Sequence, residues 1–171
     1  MKRIPIDLYD FAGHILRTLP KGILLSTSAN GEMDTMTIGW GSLGTDWSRP
    51  VFTVLVRESR HTKKLIEANP EFTINVPLEG ADVRKIISWC GTRSGRDTDK
   101  FKDCELHVVP GEKVAAPAIA ELPLTLECKV IYKQEQDKEA IEEDILKSHY
   151  PNGDLHTAYI GEIVNAYILE K

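Results

Sequence analysis

The sequence predicts a mainly β fold, an antiparallel barrel with helices set between its strands. Three observations point there. About six segments alternate or run apolar over strand lengths between glycine, proline or asparagine punctuation. Helical spacing falls between some of them without a regular strand–helix alternation, which argues against a parallel sheet. Ala29-Asn30-Gly31-Glu32 also carries the Asn-Gly signal of a tight antiparallel hairpin.

In chain order, residues 7–19 place Leu8, Phe11, Ile15 and Leu19 at helical spacing, and Pro20 stops the pattern. Residues 22–28 read as a strand, and residues 33–41 as its return beyond the Asn-Gly turn. Trp47-Ser48-Arg49-Pro50 turns the chain into VFTVLV (51–56), whose apolar run predicts burial on both faces. A two-turn helix follows at 62–69, ended by Asn69-Pro70, and then a strand at 71–77. Val83, Ile86 and Ile87 mark a helix over 80–90. The stretch 90–101 is a polar, glycine-punctuated loop in which Asp97 or Thr98 caps a short turn at 99–101. Residues 106–122 are proline-spaced and irregular, and 124–134 alternate as a strand. A single helix is expected over 137–150, with Asp137 and Glu139 suiting the dipole of its first turn. Asn152-Gly153-Asp154 is a turn, and 155–169 a long final strand with Gly161 as a bulge.

A chain of 171 residues suffices for one domain with a real core and is short for two, so 1–171 is read as one domain. Its net charge of −5 argues against nucleic acid as the main partner. The cations at 57–64 and 84–102 are local, which fits a small anion better than a polyanion. No apolar run reaches the length of a membrane span, and MKRIPIDLYD lacks the apolar stretch of a signal peptide. The cysteines Cys90, Cys104 and Cys128 are widely spaced without a CxxC, as for reduced thiols, and a cytoplasmic location is expected.

GxGxxG between a strand and a helix, GxxxxGK[ST], GxSxG and HExxH are all missing, and the histidines show no metal-ligand spacing. Chemistry is therefore expected to come from a cofactor. The stretch 35–62 is the place for one. TIGWGSLGT lets a flat ring approach main chain at its glycines, or its glycines simply sit in a bulged strand with Trp40 and Trp47 as core aromatics. RESRHT (57–62) sets two guanidiniums and two hydroxyls where a helix begins, and unpaired N–H groups there favour phosphate. Its plain alternative is a solvated charged face, and His61 is either a phosphate donor or a surface residue. Arg93, Arg96 and Lys100 beside two glycines suit closure over an anion. Cys90 ends its helix, where the dipole disfavours thiolate, so no covalent role is expected. Its thiol is expected to be open to alkylation until a ligand covers it.

MTIGWG (36–41), RESRHT (57–62), FTINVP (72–77), CGTRSGRDTDKF (90–101) and HTAYIGEI (156–163) together resemble the flavin reductase-like family, in its flavoredoxin-type branch. The resemblance implies a Greek-key-like, six-stranded FMN-binding split β-barrel and a homodimer with FMN near the subunit interface. By motif, the main chain of Met36, Thr37, Ile38, Gly39, Trp40 and Gly41 would line the isoalloxazine. Arg57, Ser59, Arg60, His61 and Thr62 would hold ribityl and phosphate, with Cys90, Gly91, Ser94 and Lys100 closing the other side. His156 and Tyr159 are candidates for substrate contact. The activity implied is hydride transfer from NAD(P)H through flavin to an acceptor, with no acid–base residue assigned. A non-enzymatic flavin carrier or electron-transfer module reduced by a partner protein is the alternative, and a ligand-free scaffold on the same barrel a third.

Overall fold

The computed structural model describes residues 1–170. β2 (Ile23–Ala29) and β3 (Glu32–Ile38) form the expected hairpin. Its turn needs two left-handed residues, supplied by Asn30 (φ 53°) and Gly31 (φ 80°). β3 then stops at Ile38, which corrects the strand read over 33–41. Gly39 and Trp40 form a link, and β4 (Gly41–Asp46) leaves to pair with β5 (Arg49–Arg57). The second hairpin turns on Trp47 (φ 50°) and Ser48 (φ 58°). β4 lacks an alternating pattern of its own; its order comes from the ladder with β5, which Gly41 permits because a Cβ there would stand 2.8 Å from the Thr53 carbonyl oxygen.

With β6 (Glu71–Val76), β9 (Leu124–Glu135) and β10 (His156–Glu170), the sheet runs β3-β2-β6-β9-β10-β5-β4, every pairing antiparallel. β1 (Lys2–Pro5), which has no clear sequence signal, joins β10 at Tyr167–Glu170, past the end of β5, and makes the eighth strand. The two ends of this sheet, β3 and β4, are joined by only Gly39 and Trp40. That link spans no more than about 11 Å, so the sheet has to curl until its ends meet. The result is a barrel with a seam at Gly39–Trp40.

Phe52, Val54, Val56, Phe72, Ile74 and Leu126 fill the interior, and α1 (Leu8–Thr18), capped by Asp7, closes one end with Ile15. Thr53 and Leu55 are half-exposed, so β5 is not buried on both faces as its apolar run suggested. An antiparallel barrel strand has an inside and an outside. The ladder between β10 and β9 shifts register between Ile160 and Gly161, the expected bulge. A Cβ at Gly161 would lie 2.5 Å from Phe72 Cζ and 2.9 Å from Cys128 Cβ, both side chains fully buried. Gly161→Ala is therefore expected to destabilise the fold by about 1–3 kcal/mol in urea unfolding.

α2 (His61–Ala68) packs on β2 and β3 through Leu65 and Ile66. α3 (Arg84–Thr92) begins and ends later than the sequence suggested. Asp99, not Asp97 or Thr98, caps α4 (Lys100–Asp103), accepting from Lys102 N at 3.1 Å. The irregular stretch after it contains a small hairpin of β7 (Val108–Val109) and β8 (Ala118–Ile119). Buried Glu127 holds the intervening loop, accepting from the N–H groups of Glu112 and Lys113 at 2.8 and 2.6 Å. The single helix expected over 137–150 is broken. Asp137 caps one 3-10 turn, Lys138–Ala140, Ile141 and Glu142 are extended, and α5 (Glu143–His149) starts afresh. The acids Glu143 and Asp144 serve as the first turn of that new helix, where the dipole favours them. Among the described residues no helix is long and apolar enough to cross a membrane.

Candidate functional site

The barrel seam holds a cavity of about 180 Å³ lined by Met36, Thr37, Ile38, Gly39, Trp40, Leu55, Arg57, Arg60 and His156. The side chains of Met36 and Ile38 turn into the core, leaving main chain at the cavity. A Cβ at Gly39 would meet nothing nearer than the Leu19 carbonyl oxygen at 3.8 Å. Packing therefore does not demand glycine here, whereas close approach of a flat ligand to the backbone would. Thr37 donates to the Ile87 carbonyl at 2.6 Å, pinning α3 against the end of β3. Gly91 is needed for that contact, since its Cβ would come within 3.3 Å of Thr37 Cβ.

The RESRHT side chains divide between two places. Arg57 donates to the carbonyls of Asp154 and His149 at 2.9 and 3.0 Å and lies over the Tyr150 ring at 5.0 Å. Ser59 gives both its N–H (2.9 Å) and its hydroxyl (2.6 Å) to the Asp154 carboxylate, and its carbonyl accepts from Arg96. Burial would raise the Asp154 pKa, but the two Ser59 bonds and the Arg57 charge outweigh it and leave the carboxyl below its usual range. An acid of the chain itself thus occupies the anion position at this strand–helix junction. Arg60 makes only a long bond of 3.3 Å to the Gly91 carbonyl, so its guanidinium has donors to spare beside the cavity.

His61 and Thr62 turn the other way, to β3. His61 Nε2 lies 2.7 Å from Glu32, whose carboxyl is held low by that bond first and by Lys64. The Thr62 hydroxyl donates to Asp34 at 3.3 Å. Lys100, which is 3% exposed, completes this group with an ion pair to Asp34 at 3.0 Å and a bond to the Thr35 carbonyl at 2.7 Å. The loop before α4 covers Asp34, with Gly95 so close that a Cβ would clash with the carboxylate. Ser94 shapes that loop, its hydroxyl accepting from Arg96 N and its carbonyl from Thr98.

His156 faces the seam cavity, with Nδ1 2.8 Å from the Tyr150 hydroxyl and Trp40 5.4 Å away. Burial, then the charges of Arg57 and Arg60, push its pKa down to about 4, against the pull of Asp154. The imidazole is neutral at pH 7 and hydrogen-bonds rather than ion-pairs there. Because its folded pKa lies below the unfolded value, the unfolded chain binds more protons between pH 6.5 and about 4. Stability is expected to fall as pH drops through that window, and His156→Gln to flatten that part of a denaturation-versus-pH curve. Tyr159 does not line the cavity; its hydroxyl donates to Glu67 at 2.5 Å, with its pKa raised by burial first and then by that carboxylate. Cys90 is fully buried without any ligand, which overturns the expectation that its thiol is open to alkylation. Burial, with Cys104 beside it, pushes the thiol up to about 12, so thiolate is not populated.

Leu55, Tyr150 and Asp154 were not anticipated. Asp154 read only as part of a turn, although its φ of 55° marks a constrained acid.

Residues 16–171 match the family described as Flavin reductase like domain. The chain is 29% identical over 132 residues to the uncharacterized protein YddH of Escherichia coli (strain K12), covering 75% of this chain and 67% of that protein. The flavoredoxin structure from Methanosarcina acetivorans superposes with a TM-score of 0.68 at 30% identity, over 87% of this chain and 68% of that one. Flavoredoxin of Desulfovibrio vulgaris (Miyazaki F) does so at 0.67 and 27%, over 87% and 69%. The seam barrel, its glycine-lined ledge and these likenesses agree, and the chain belongs to the flavin reductase-like family of FMN-binding split barrels.

Proposed function

We propose that this protein is an FMN-dependent oxidoreductase that takes electrons from NAD(P)H and passes them to an acceptor. The observation that carries the reading is the seam cavity, where approachable main chain at Gly39 meets the guanidiniums of Arg57 and Arg60. Bound FMN would supply the hydride-accepting and electron-releasing chemistry. The main chain from Met36 to Gly41 would seat the ring, with Thr37 and Gly91 keeping α3 in place behind it. Arg60 would hold the phosphate through its spare donors, and Arg57, already committed to carbonyls, would add charge more than hydrogen bonds. His156, neutral and held by Tyr150, would orient a polar group of the substrate at the cavity wall. Cys90 and Tyr159 would take no part in the chemistry.

At about 180 Å³ the cavity is smaller than the ~300–1,000 Å³ of enclosed ligand sites, so one subunit would seat only part of the flavin. That supports a homodimer in which the partner completes the enclosure. The half-exposed Leu55, Ala158 and Ile160 on the outer face of β5 and β10 are suited to such a contact. Sedimentation should then show a species near twice the 19.2 kDa chain mass. The free thiols accord with a cytoplasmic location.

The second reading, an electron-transfer module reduced by a partner protein, is favoured by the likeness to two flavoredoxins. Adding NADH or NADPH to the FMN-loaded protein without air decides between them. Bleaching of the flavin absorbance within seconds supports the oxidoreductase. A flavin that stays oxidised with both nucleotides overturns it in favour of the carrier.

A further inference from the structure

Behind the seam cavity lies a larger cleft, and we propose that it binds a small organic anion with an apolar body. The cleft measures about 600 Å³, between the end of α1 with its following 3-10 turn, the loop after β6, and the first turn of α3. That size falls within the ~300–1,000 Å³ of small-molecule sites. Its walls are apolar, formed by Pro77, Leu78, Val83 and Ile87. Its polar groups are not arranged at random. Arg84 is neutralised by Asp82, which it holds through two bonds of 2.7 and 2.9 Å. Arg17 and Lys21, in contrast, make no ion pair among the described residues, and Glu79 is the single acid in the lining. Two uncompensated cations over an apolar wall, in a chain of net charge −5, select an anion such as a carboxylate, sulfonate or phosphate ester.

Arg17 also suits the dipole at the end of α1, which explains its sign but not the cleft beside it. Gly13 stands next to it in mid-helix, where glycine is disfavoured, and a Cβ there would come within 3.2 Å of Arg17 Nη1. The helix thus leaves room for the guanidinium to lie along its surface.

The cleft and the seam cavity share a wall. Gly22 and Ile87 line the cleft, Thr37 lines the cavity, and the Thr37 hydroxyl bonds the Ile87 carbonyl at 2.6 Å. A Cβ on Gly22, whose φ is +106°, would stand 3.1 Å from Thr37 Cγ2. An anion in the cleft therefore presses on the residue that borders the proposed flavin seat. The effect of that pressure on a bound flavin rests on the function proposed above, whereas the binding of the anion does not.

The test uses 8-anilinonaphthalene-1-sulfonate as the anionic probe and uncharged N-phenyl-1-naphthylamine as its neutral counterpart, followed by fluorescence titration of the purified protein. Charge reversal at Arg17→Glu with Lys21→Glu should weaken the sulfonate by about tenfold or more and the neutral probe by less than about twofold. The milder pair Arg17→Gln with Lys21→Gln should fall between and melt like the parent because both side chains are exposed, while the reversed pair, which sets an acid at the negative end of the α1 dipole, should melt only slightly lower. Arg60→Glu, which alters the seam cavity instead, should leave the sulfonate affinity unchanged. The proposal is overturned if the sulfonate does not bind the parent protein, if reversal weakens both probes alike or neither, or if Arg60→Glu is the variant that abolishes binding. FMN affinity measured on the same double variant should be unchanged within about twofold, so failure of the cleft and failure of the flavin reading give different results.

Discussion

Lys100→Ala is expected to destabilise the folded protein by about 3–5 kcal/mol, the range for leaving one partner of a buried ion pair alone. Lys100 and Asp34 are 3% and 2% exposed and stand 3.0 Å apart. Without the ammonium, Asp34 keeps only the Thr62 hydroxyl at 3.3 Å, and the Thr35 carbonyl also loses its 2.7 Å donor. Replacing both members, as Lys100→Met with Asp34→Leu, should recover much of the loss, because two apolar groups leave no buried charge behind. Urea unfolding of the flavin-free protein measures both. A single variant as stable as the parent would show that the pair contributes little, and would return Lys100 to the role the family resemblance implies, contact with the cofactor.

The second large effect concerns Arg60. Arg60→Ala is expected to weaken FMN binding by about 2 kcal/mol, roughly thirtyfold, while riboflavin binding changes little. Charge-assisted bonds to phosphate are the interaction removed, and riboflavin has no phosphate. Ser59→Ala and Thr62→Ala should cost FMN affinity much less. The hydroxyl of Ser59 is spent on Asp154 at 2.6 Å and that of Thr62 on Asp34. Fluorescence quenching titrations with the two flavins provide the readout. Equal weakening of both flavins by Arg60→Ala would remove it from the phosphate, and a Ser59→Ala effect as large as that of Arg60→Ala would mean that Asp154 gives way to the ligand.

These two predictions differ from what the motif alone suggests, and the difference shows where local information ends. Strand alternation, the Asn30-Gly31 turn, the amphipathic face of α1 and the Gly161 bulge were all legible in the sequence. Each depends on side-chain period or turn chemistry within a few residues, and the structure contains each of them. β4 was not legible, because a strand with one apolar residue is ordered by its partner rather than by itself. The unbroken helix over 137–150 failed for a related reason: a run of acids reads equally well as a helix interior or as a new first turn.

The site divides the same way. That main chain near Gly39 and the arginines of RESRHT belong to one place follows from the motif, and the seam of the barrel does bring Gly39, Arg57 and Arg60 to one cavity. Which donors stay free there is a matter of tertiary contact. Ser59 is claimed by an acid 95 positions away, and Lys100 by one on β3. A hydroxyl or an ammonium carries no local mark of the carboxylate that will satisfy it. The sequence by itself determined the family, the barrel and which segments meet at the seam cavity; only the folded chain decided that Asp154 and Asp34 take up the hydroxyls of Ser59 and Thr62, since a carboxylate draws whatever donors the fold brings within about 3 Å.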